Sequence, residues 1–574
     1  MNSIKKVNLL FNFKQKKKLY LLLIIIFCVS IMDLIGIGAI LPILIIFSDS
    51  AFVDNKYIVL LFDSFDFLNK ENFLNISIIF LLIAFTLKTF LSLILNFIKY
   101  RILLSFYAQI SNKLMKIYIN LSYSEFIKFK VFEKSNTIKT EVEYFILGVI
   151  DPILVISLEL LTIILISICL MFYDSELLIK VFFFGSFITI SLTYLFGRKL
   201  KKLGDQKFIL NNLLQQQIFQ GLQGIKDIKL SLKENLFFIK FSKITNKISF
   251  TASSIRSLQE APRLIIELFA IMCFIFISIS INDLNNFSNL IVTLGIFTAA
   301  AFRILPSLNR IVVAINSIKQ SHSVINTIYN DFQLEKKIIN YEHNQNDNDK
   351  IKKIEIKNLN YKYHATNDLI LNGLNLEINY GDYLGIYGKS GSGKSTFVDV
   401  FSGLLVPESG DILFNGKDIN AKSNQYLWKN KIGYVPQSIY LNNETFKENI
   451  AFGEDLKNIN EEKILDIIKK TSLDTFINKM PLGINSIIGE NGMNLSGGQI
   501  QRLGIARALY RDPEILIFDE STNSLDADTE SEFMEVVNKL KGEKIIIFIS
   551  HQTKILRECN KIYELNEGKL ILKK

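Results

Sequence analysis

The chain has 574 residues, 49% of them hydrophobic, and a formal net charge of +10 from 65 Lys and Arg against 55 Asp and Glu. Basic clusters beside long apolar runs fit the positive-inside pattern of a membrane protein and argue against nucleic acid as a partner. Four widely spaced cysteines, Cys28, Cys169, Cys273 and Cys559, offer neither a disulfide framework nor metal-ligand spacing and read as packing residues.

Apolar residues crowd the first half, up to about residue 315, whereas residues 350–574 read as an α/β domain. A helix needs about 20 apolar residues to cross the hydrocarbon core. Six runs qualify or come close: Leu19–Phe47, Leu74–Ile98, Ile153–Phe172, Leu177–Phe196, Leu264–Ile281 and Leu290–Val313. The first is too long for a signal-peptide core and no A-x-A-like site follows it, so it is expected to remain as a span. Lys14, Lys16, Lys17 and Lys18 precede it; Lys99, Arg101 and Lys113 follow the second run; Arg198, Lys199, Lys201 and Lys202 follow the fourth. The short segments after the third and fifth runs carry no Lys or Arg, which puts both termini in the cytoplasm. The two cytoplasmic connections are helix-compatible, with Pro152 and Pro262 near their membrane ends, and are expected to be helices running on from the bilayer. Between the first two runs, Tyr57–Asn69 has an apolar face with Asp63 and Asp66 off it. It suits a helix at the outer interface that meets a lipid tail, or equally a plain periplasmic cap. Residues 331–353 turn polar and read as a linker between a membrane domain (1–330) and a nucleotide-binding domain (354–574).

In that second domain GKSGSGKST, from Gly388 to Thr396, fits the phosphate-binding pattern G-x-x-x-x-G-K-[ST]. Backbone N–H groups of Gly388, Lys389, Ser390, Gly391, Ser392, Gly393, Lys394, Ser395 and Thr396 would wrap the phosphates of ATP. Lys394 would reach the β/γ-phosphates and Ser395 would ligate Mg²⁺. The loop should follow a strand (YLGIY) and open a helix, which brings a helix N-terminus to the phosphates. Downstream, EILIFDE reads as a buried strand delivering Asp519 and Glu520 at its end. Asp519 would hold the Mg²⁺ shell and Glu520 would polarise the attacking water. Two structural carboxylates are the plain alternative.

With LSGGQIQR beginning at Leu495, these motifs resemble the ATP-binding cassette (ABC) family, and the apolar half makes the chain resemble an ABC exporter half-transporter. The implied fold class is a membrane α-helical bundle of six spans, with long cytoplasmic extensions, fused to an α/β P-loop NTPase domain. The resemblance implies that Tyr363 stacks on adenine, although a half-buried strand tyrosine is equally ordinary. It implies that Gln437 contacts Mg²⁺ and the attacking water, that Asp526 is the D-loop acid, and that His551 bonds the γ-phosphate. Ser496, Gly497, Gly498 and Gln499 would cap the ATP held by a second chain, so a homodimer with two active sites is the simplest assembly. Ser122–Phe126 and Gly221–Ser231 are the candidate coupling helices, each fitting a solvated helical hairpin equally well. A bacterial inner membrane is the expected location.

Ionisable residues inside spans cost about 2.5–3.5 kcal/mol each on insertion scales and mark a pathway or a partner. Lys88, Arg263, Arg303 and Arg310 lie in or beside spans two, five and six, and Arg303 and Arg310 are spaced to share a helix face. Asp33, Glu159 and Glu267 are available as counter-ions, with Arg263 and Glu267 at i, i+4. Arginine suits an anionic headgroup, a diphosphate above all. These bases, with APRLIIE (Ala261–Glu267) and AFRILPSLNRI (Ala301–Ile311), resemble the flippases of polyprenyl-diphosphate-linked oligosaccharide, in which Lys88 stands in place of an arginine. The resemblance implies a lipid-linked glycan as cargo. Another lipid, a peptide or a drug is the alternative, and a nucleotide-gated channel or regulator the remotest.

Overall fold

The computed structural model describes residues 3–38, 70–173, 175–280, 287–338, 349–363, 368–489, 492–493, 495–521 and 527–574. The proposed outer helix Tyr57–Asn69 and the D-loop acid Asp526 lie outside the described residues. The chain forms two units, one of residues 1–121 and 127–338, the other of 339–574 together with Ser122–Phe126.

The first unit is helical. Its main elements are α1 (Ser3–Leu10), α2 (Phe13–Gly38), α3 (Lys70–Asn120), α5 (Asp151–Tyr173), α6 (Ser175–Gln223), α7 (Ile225–Leu230), α8 (Glu234–Ser280), α9 (Phe287–Gln320) and α10 (His322–Gln333), with α4 (Tyr123–Phe126) belonging to the second unit. Each of the six apolar runs falls on one of the long helices α2, α3, α5, α6, α8 and α9, as far as the described residues extend. Among those residues, Asn75–Asn120 and Val131–Ile168 are long and apolar enough by composition alone to cross a membrane. Helices of 51, 49 and 47 residues (α3, α6 and α8) carry the chain well beyond a bilayer's thickness, as the helix-compatible connections led us to expect. Residues 331–338, read as the start of a linker, instead complete the helical unit: α10 runs to Gln333, and Ile338 bridges back to Leu121.

The approach to α5 is wound unusually. Thr137–Glu141 and Ile146–Ile150 are π-helical turns, and Pro152 follows the second. Proline has no N–H to give to the carbonyl four residues back, that of Gly148. The Ser317 and Ser321 hydroxyls donate to that carbonyl at 3.1 and 3.4 Å, so the unusual winding leaves no orphaned acceptor there.

The second unit holds two sheets. A four-stranded antiparallel sheet runs β2 (Leu371–Asn379), β1 (Lys353–Tyr361), β4 (Ser409–Phe414), β5 (Lys417–Asp418). A six-stranded sheet has the order β10 (Lys569–Leu572), β9 (Lys561–Asn566), β3 (Tyr383–Tyr387), β8 (Ile545–Ile549), β7 (Ile515–Asp519), β6 (Ile432–Val435). β9, β3, β8, β7 and β6 are parallel and only β10 runs antiparallel. Every residue of β7 and β8 is buried, which is why both read as unbroken apolar runs rather than alternations. One face of the sheet packs Phe397, Phe401 and Trp428; the other packs Phe446, Leu503 and Phe533.

Candidate functional site

Four adjacent strands deliver the four predicted segments to one end of the sheet. The glycine-rich loop leaves the carboxyl end of β3, His551 follows β8, Asp519 and Glu520 close β7, and Gln437 follows β6. The spatial order β3-β8-β7-β6 makes these strands neighbours although they are far apart in sequence. Crevices at the carboxyl ends of parallel strands are where such sheets bind ligands.

The loop is shaped for close approach. Gly391 and Gly393 have φ of 80° and 101°, and Gly393 caps α11 (Lys394–Phe401). A Cβ on Gly388 would stand 2.3 Å from the Leu565 carbonyl oxygen, so no side chain fits there. Lys394 is buried and curls inside the loop, its ammonium donating to the carbonyls of Gly388 at 2.8 Å and Lys389 at 3.1 Å. The Ser392 hydroxyl is buried without a hydrogen-bond partner. A polar cradle at a helix N-terminus with an unsatisfied hydroxyl is suited to a polyphosphate. Tyr363 stands beside it, its hydroxyl 3.3 Å from that of Thr396 and its ring edge-on to Tyr361 at 5.2 Å.

Glu520 is the convergence point. One carboxylate oxygen accepts from the Gln437 amide at 3.1 Å, and the other lies 3.6 Å from His551 Nε2. Its backbone sits in the left-handed region, φ 48°, held by an N–H bond of 2.9 Å to the Ile549 carbonyl. Asp519 is buried beside it and accepts from the Tyr434 hydroxyl at 3.0 Å. Burial pushes the Asp519 carboxyl up, and Glu520 adds to this, while the Tyr434 hydrogen bond and Lys394 pull it down. Asp399 on α11 is pushed up to about 6 by burial and by the Asp519 charge. Neither Tyr434 nor Asp399 stands out in the sequence. Tyr434 does carry a signal there, since it lies in the strand that leads to Gln437.

Ser496 caps the 14-residue helix α12 (Gly497–Tyr510) in a reciprocal box with Gln499. The Ser496 hydroxyl accepts from Gln499 N–H at 3.3 Å, and the Gln499 side chain accepts from Ser496 N–H at 2.9 Å. Ser496 and Gly497 are exposed while Gly498 is buried, so this helix end is open to an anion from outside. Gln501, one turn on, donates to the Gln437 carbonyl at 3.4 Å and ties α12 to the loop after β6. In the segment Ser122–Phe126, Tyr123–Phe126 form α4, and burial pushes the Tyr123 hydroxyl up, with Asp399 and Tyr363 adding to this. Of the second candidate coupling segment, Gly221–Ser231, residues Ile225–Leu230 form the short helix α7, with Ile225 and Leu230 exposed.

In the helical unit the four bases do not stand alike. Arg263 pairs with Glu267 at 2.8 Å on an exposed face, as their spacing predicted. Lys88 lies over the Phe85 ring at 5.2 Å. Arg303 and Arg310 both turn to one buried carboxylate, that of Glu159 on α5, at 3.5 and 2.7 Å. Cys559 is a buried thiol pushed up to about 12, in keeping with an inert packing role; Cys28 is exposed.

Fold and site together define an α/β P-loop ATPase fused to a bundle of membrane helices. A family profile described as "ABC transporter" matches residues 371–523. A Rickettsia bellii chain with an export ATP-binding/permease name is 31% identical over 422 residues, covering 70% of this chain and 69% of that one. The alpha-hemolysin translocation ATP-binding protein HlyB of Escherichia coli O157:H7 is 36% identical over 215 residues, 38% of this chain and 30% of HlyB. The structure of a bacterial Atm1-family ABC exporter with ATP bound superposes with a TM-score of 0.78 over 98% of this chain and 95% of its own, at 19% identity. The chain belongs to the ABC transporter family, as an exporter-type half-transporter that hydrolyses ATP.

Proposed function

We propose that two copies of this chain form an ATP-driven flippase that moves a polyprenyl-diphosphate-linked glycan from the cytoplasmic to the periplasmic leaflet of a bacterial inner membrane. The observation that carries the cargo reading is the convergence of Arg303 and Arg310 on one buried carboxylate inside an apolar bundle. Two guanidiniums at such a place are costly and suit bidentate capture of an anionic headgroup. Arg263 and Lys88 would add to that surface.

In the ATPase half, Lys394 would leave its carbonyl partners for the β/γ-phosphates, and Tyr363 would flank the adenine. Ser395, Gln437 and Asp519 are the residues that would hold Mg²⁺, which when bound neutralises charge on the β- and γ-phosphates. Glu520 would orient and deprotonate the attacking water, and His551 would steady the γ-phosphate. Ser496, Gly497, Gly498 and Gln499 would close over the ATP of the partner copy, with Asp526 at the same seam.

Export of a peptide or toxin is the second reading, favoured by the HlyB similarity. That similarity covers 38% of this chain, a length that fits the ATPase half alone, and so speaks to the motor rather than the cargo. ATPase measurements on the reconstituted chain separate the two. A polyprenyl diphosphate glycan should raise turnover, whereas stimulation by a peptide and none by that lipid would overturn the cargo assignment.

A further inference from the structure

Glu159 is 3% exposed, and two arginines of one helix hold it. Arg303 and Arg310 lie two turns apart on α9, and Ser307 between them donates to the Arg303 carbonyl at 2.8 Å while accepting from its guanidinium at 3.2 Å. Both Glu159 oxygens are engaged by Arg310, one by Nε at 2.7 Å and the other by Nη2 at 3.4 Å. That near-bidentate geometry is what a phosphate would also be offered. The two arginine side chains differ in access: 18% of Arg303 is exposed against 47% of Arg310.

We infer that Glu159 is a resident counter-anion, occupying on Arg310 the place that a cargo anion must take. The inference rests on the reading of Arg303 and Arg310 as cargo-facing. A carboxylate tethered to the neighbouring helix competes at a high effective concentration. Bilayer lipids with a single negative charge bring one phosphate against this competitor and are kept out. A diphosphate brings more charge and more acceptor oxygens, and it displaces Glu159 from the exposed guanidinium while Arg303 keeps hold of the carboxylate. Glu159 thereby sets specificity for multiply charged headgroups in a membrane full of singly charged ones.

The test uses the full chain in vesicles of phosphatidylethanolamine, with and without phosphatidylglycerol, and reads ATPase stimulation by a polyprenyl diphosphate. Wild type should respond to the diphosphate equally in both vesicles. In Glu159→Gln, half-maximal stimulation should come at roughly tenfold lower lipid, because the site is no longer pre-occupied. In that variant phosphatidylglycerol should now compete, while Glu159→Asp restores the wild-type pattern. An unchanged half-maximal concentration together with indifference to phosphatidylglycerol in Glu159→Gln would overturn the inference. If the diphosphate stimulates neither protein, yet phosphatidylglycerol alters turnover in Glu159→Gln alone, the cargo assignment falls and the counter-anion stands. Should Glu159→Gln fail to fold, the pair Glu159→Gln with Arg303→Gln removes one charge of each sign. Sensitivity of that pair to phosphatidylglycerol then supports the counter-anion, and indifference overturns it.

Discussion

Glu520 holds a left-handed backbone, φ 48°, that a non-glycine residue adopts at a cost of about 1–3 kcal/mol. The strain places its carboxylate between Gln437 and His551, the arrangement a water-orienting base needs. Glu520→Gln keeps the shape and removes the proposed base. Phosphate release should fall about 10²–10⁴-fold while nucleotide binding persists, as measured side by side on the same preparation. A second residue-scale prediction concerns Glu141, which is 2% exposed and pushed up to about 7 from 4.5 by burial, with Asn136 and Lys207 opposing. Between those values the folded chain holds a proton that the unfolded chain has lost. Stability of the helical unit should therefore fall as pH rises from about 4.5 to about 7 and level off above, by up to roughly 3 kcal/mol. Thermal unfolding of wild type and Glu141→Gln across that window checks it: the slope should flatten in the variant. Neither feature is legible in the sequence. Glu520 announces itself there through DE after an apolar strand, but its backbone strain depends on β8 lying alongside, and Glu141 looks like an ordinary surface acid.

At the scale of elements, α6 and α9 touch through small residues, as helices do where backbones must approach closely. A Cβ on Gly204 would lie 2.1 Å from the Gln320 carbonyl oxygen, and one on Gly197 would meet the Lys319 ammonium at 2.5 Å. Lys319 itself donates to the Thr193 carbonyl at 2.6 Å, across the same seam. Gly204→Ala should force the helices apart and cost about 1–3 kcal/mol, whereas Gly221→Ala, which meets nothing within 4 Å, should not destabilise the fold; thermal unfolding midpoints compare them. Nearby, Asp331 joins three segments by accepting from the Tyr118 hydroxyl and the Lys134 ammonium, both at 2.6 Å. Asp331 falls inside the stretch that reads as linker because EHNQNDNDK beyond it dominates the local composition. The six long helices, by contrast, are legible from run length alone, since apolarity on every side leaves few other fates. The π turns before Pro152 are not legible, and neither are the Ser317 and Ser321 hydroxyls that reach the Gly148 carbonyl from a distant part of the chain.

At the scale of the whole molecule, the residues proposed for the nucleotide site are named by local sequence patterns, because phosphate chemistry fixes residue type and spacing within single segments. What brings those segments together is the strand order β3-β8-β7-β6, which no local pattern encodes. The membrane bases are legible as residues and not as a cluster: the doubly held Glu159 emerges only once α5 and α9 are packed. In the proposed dimer a second copy completes each site by meeting Ser496 and Gly497, which are exposed on a capped helix end. The purified chain should therefore have twice the 65.9 kDa protein mass by light scattering. The most direct measurement of all is translocation. Vesicles carrying the wild-type chain and a fluorescent polyprenyl diphosphate glycan should move that lipid between leaflets only with ATP, and vesicles carrying Glu520→Gln should not. Lipid movement that proceeds equally in the variant, or none in wild type while ATP is consumed, would contradict the account.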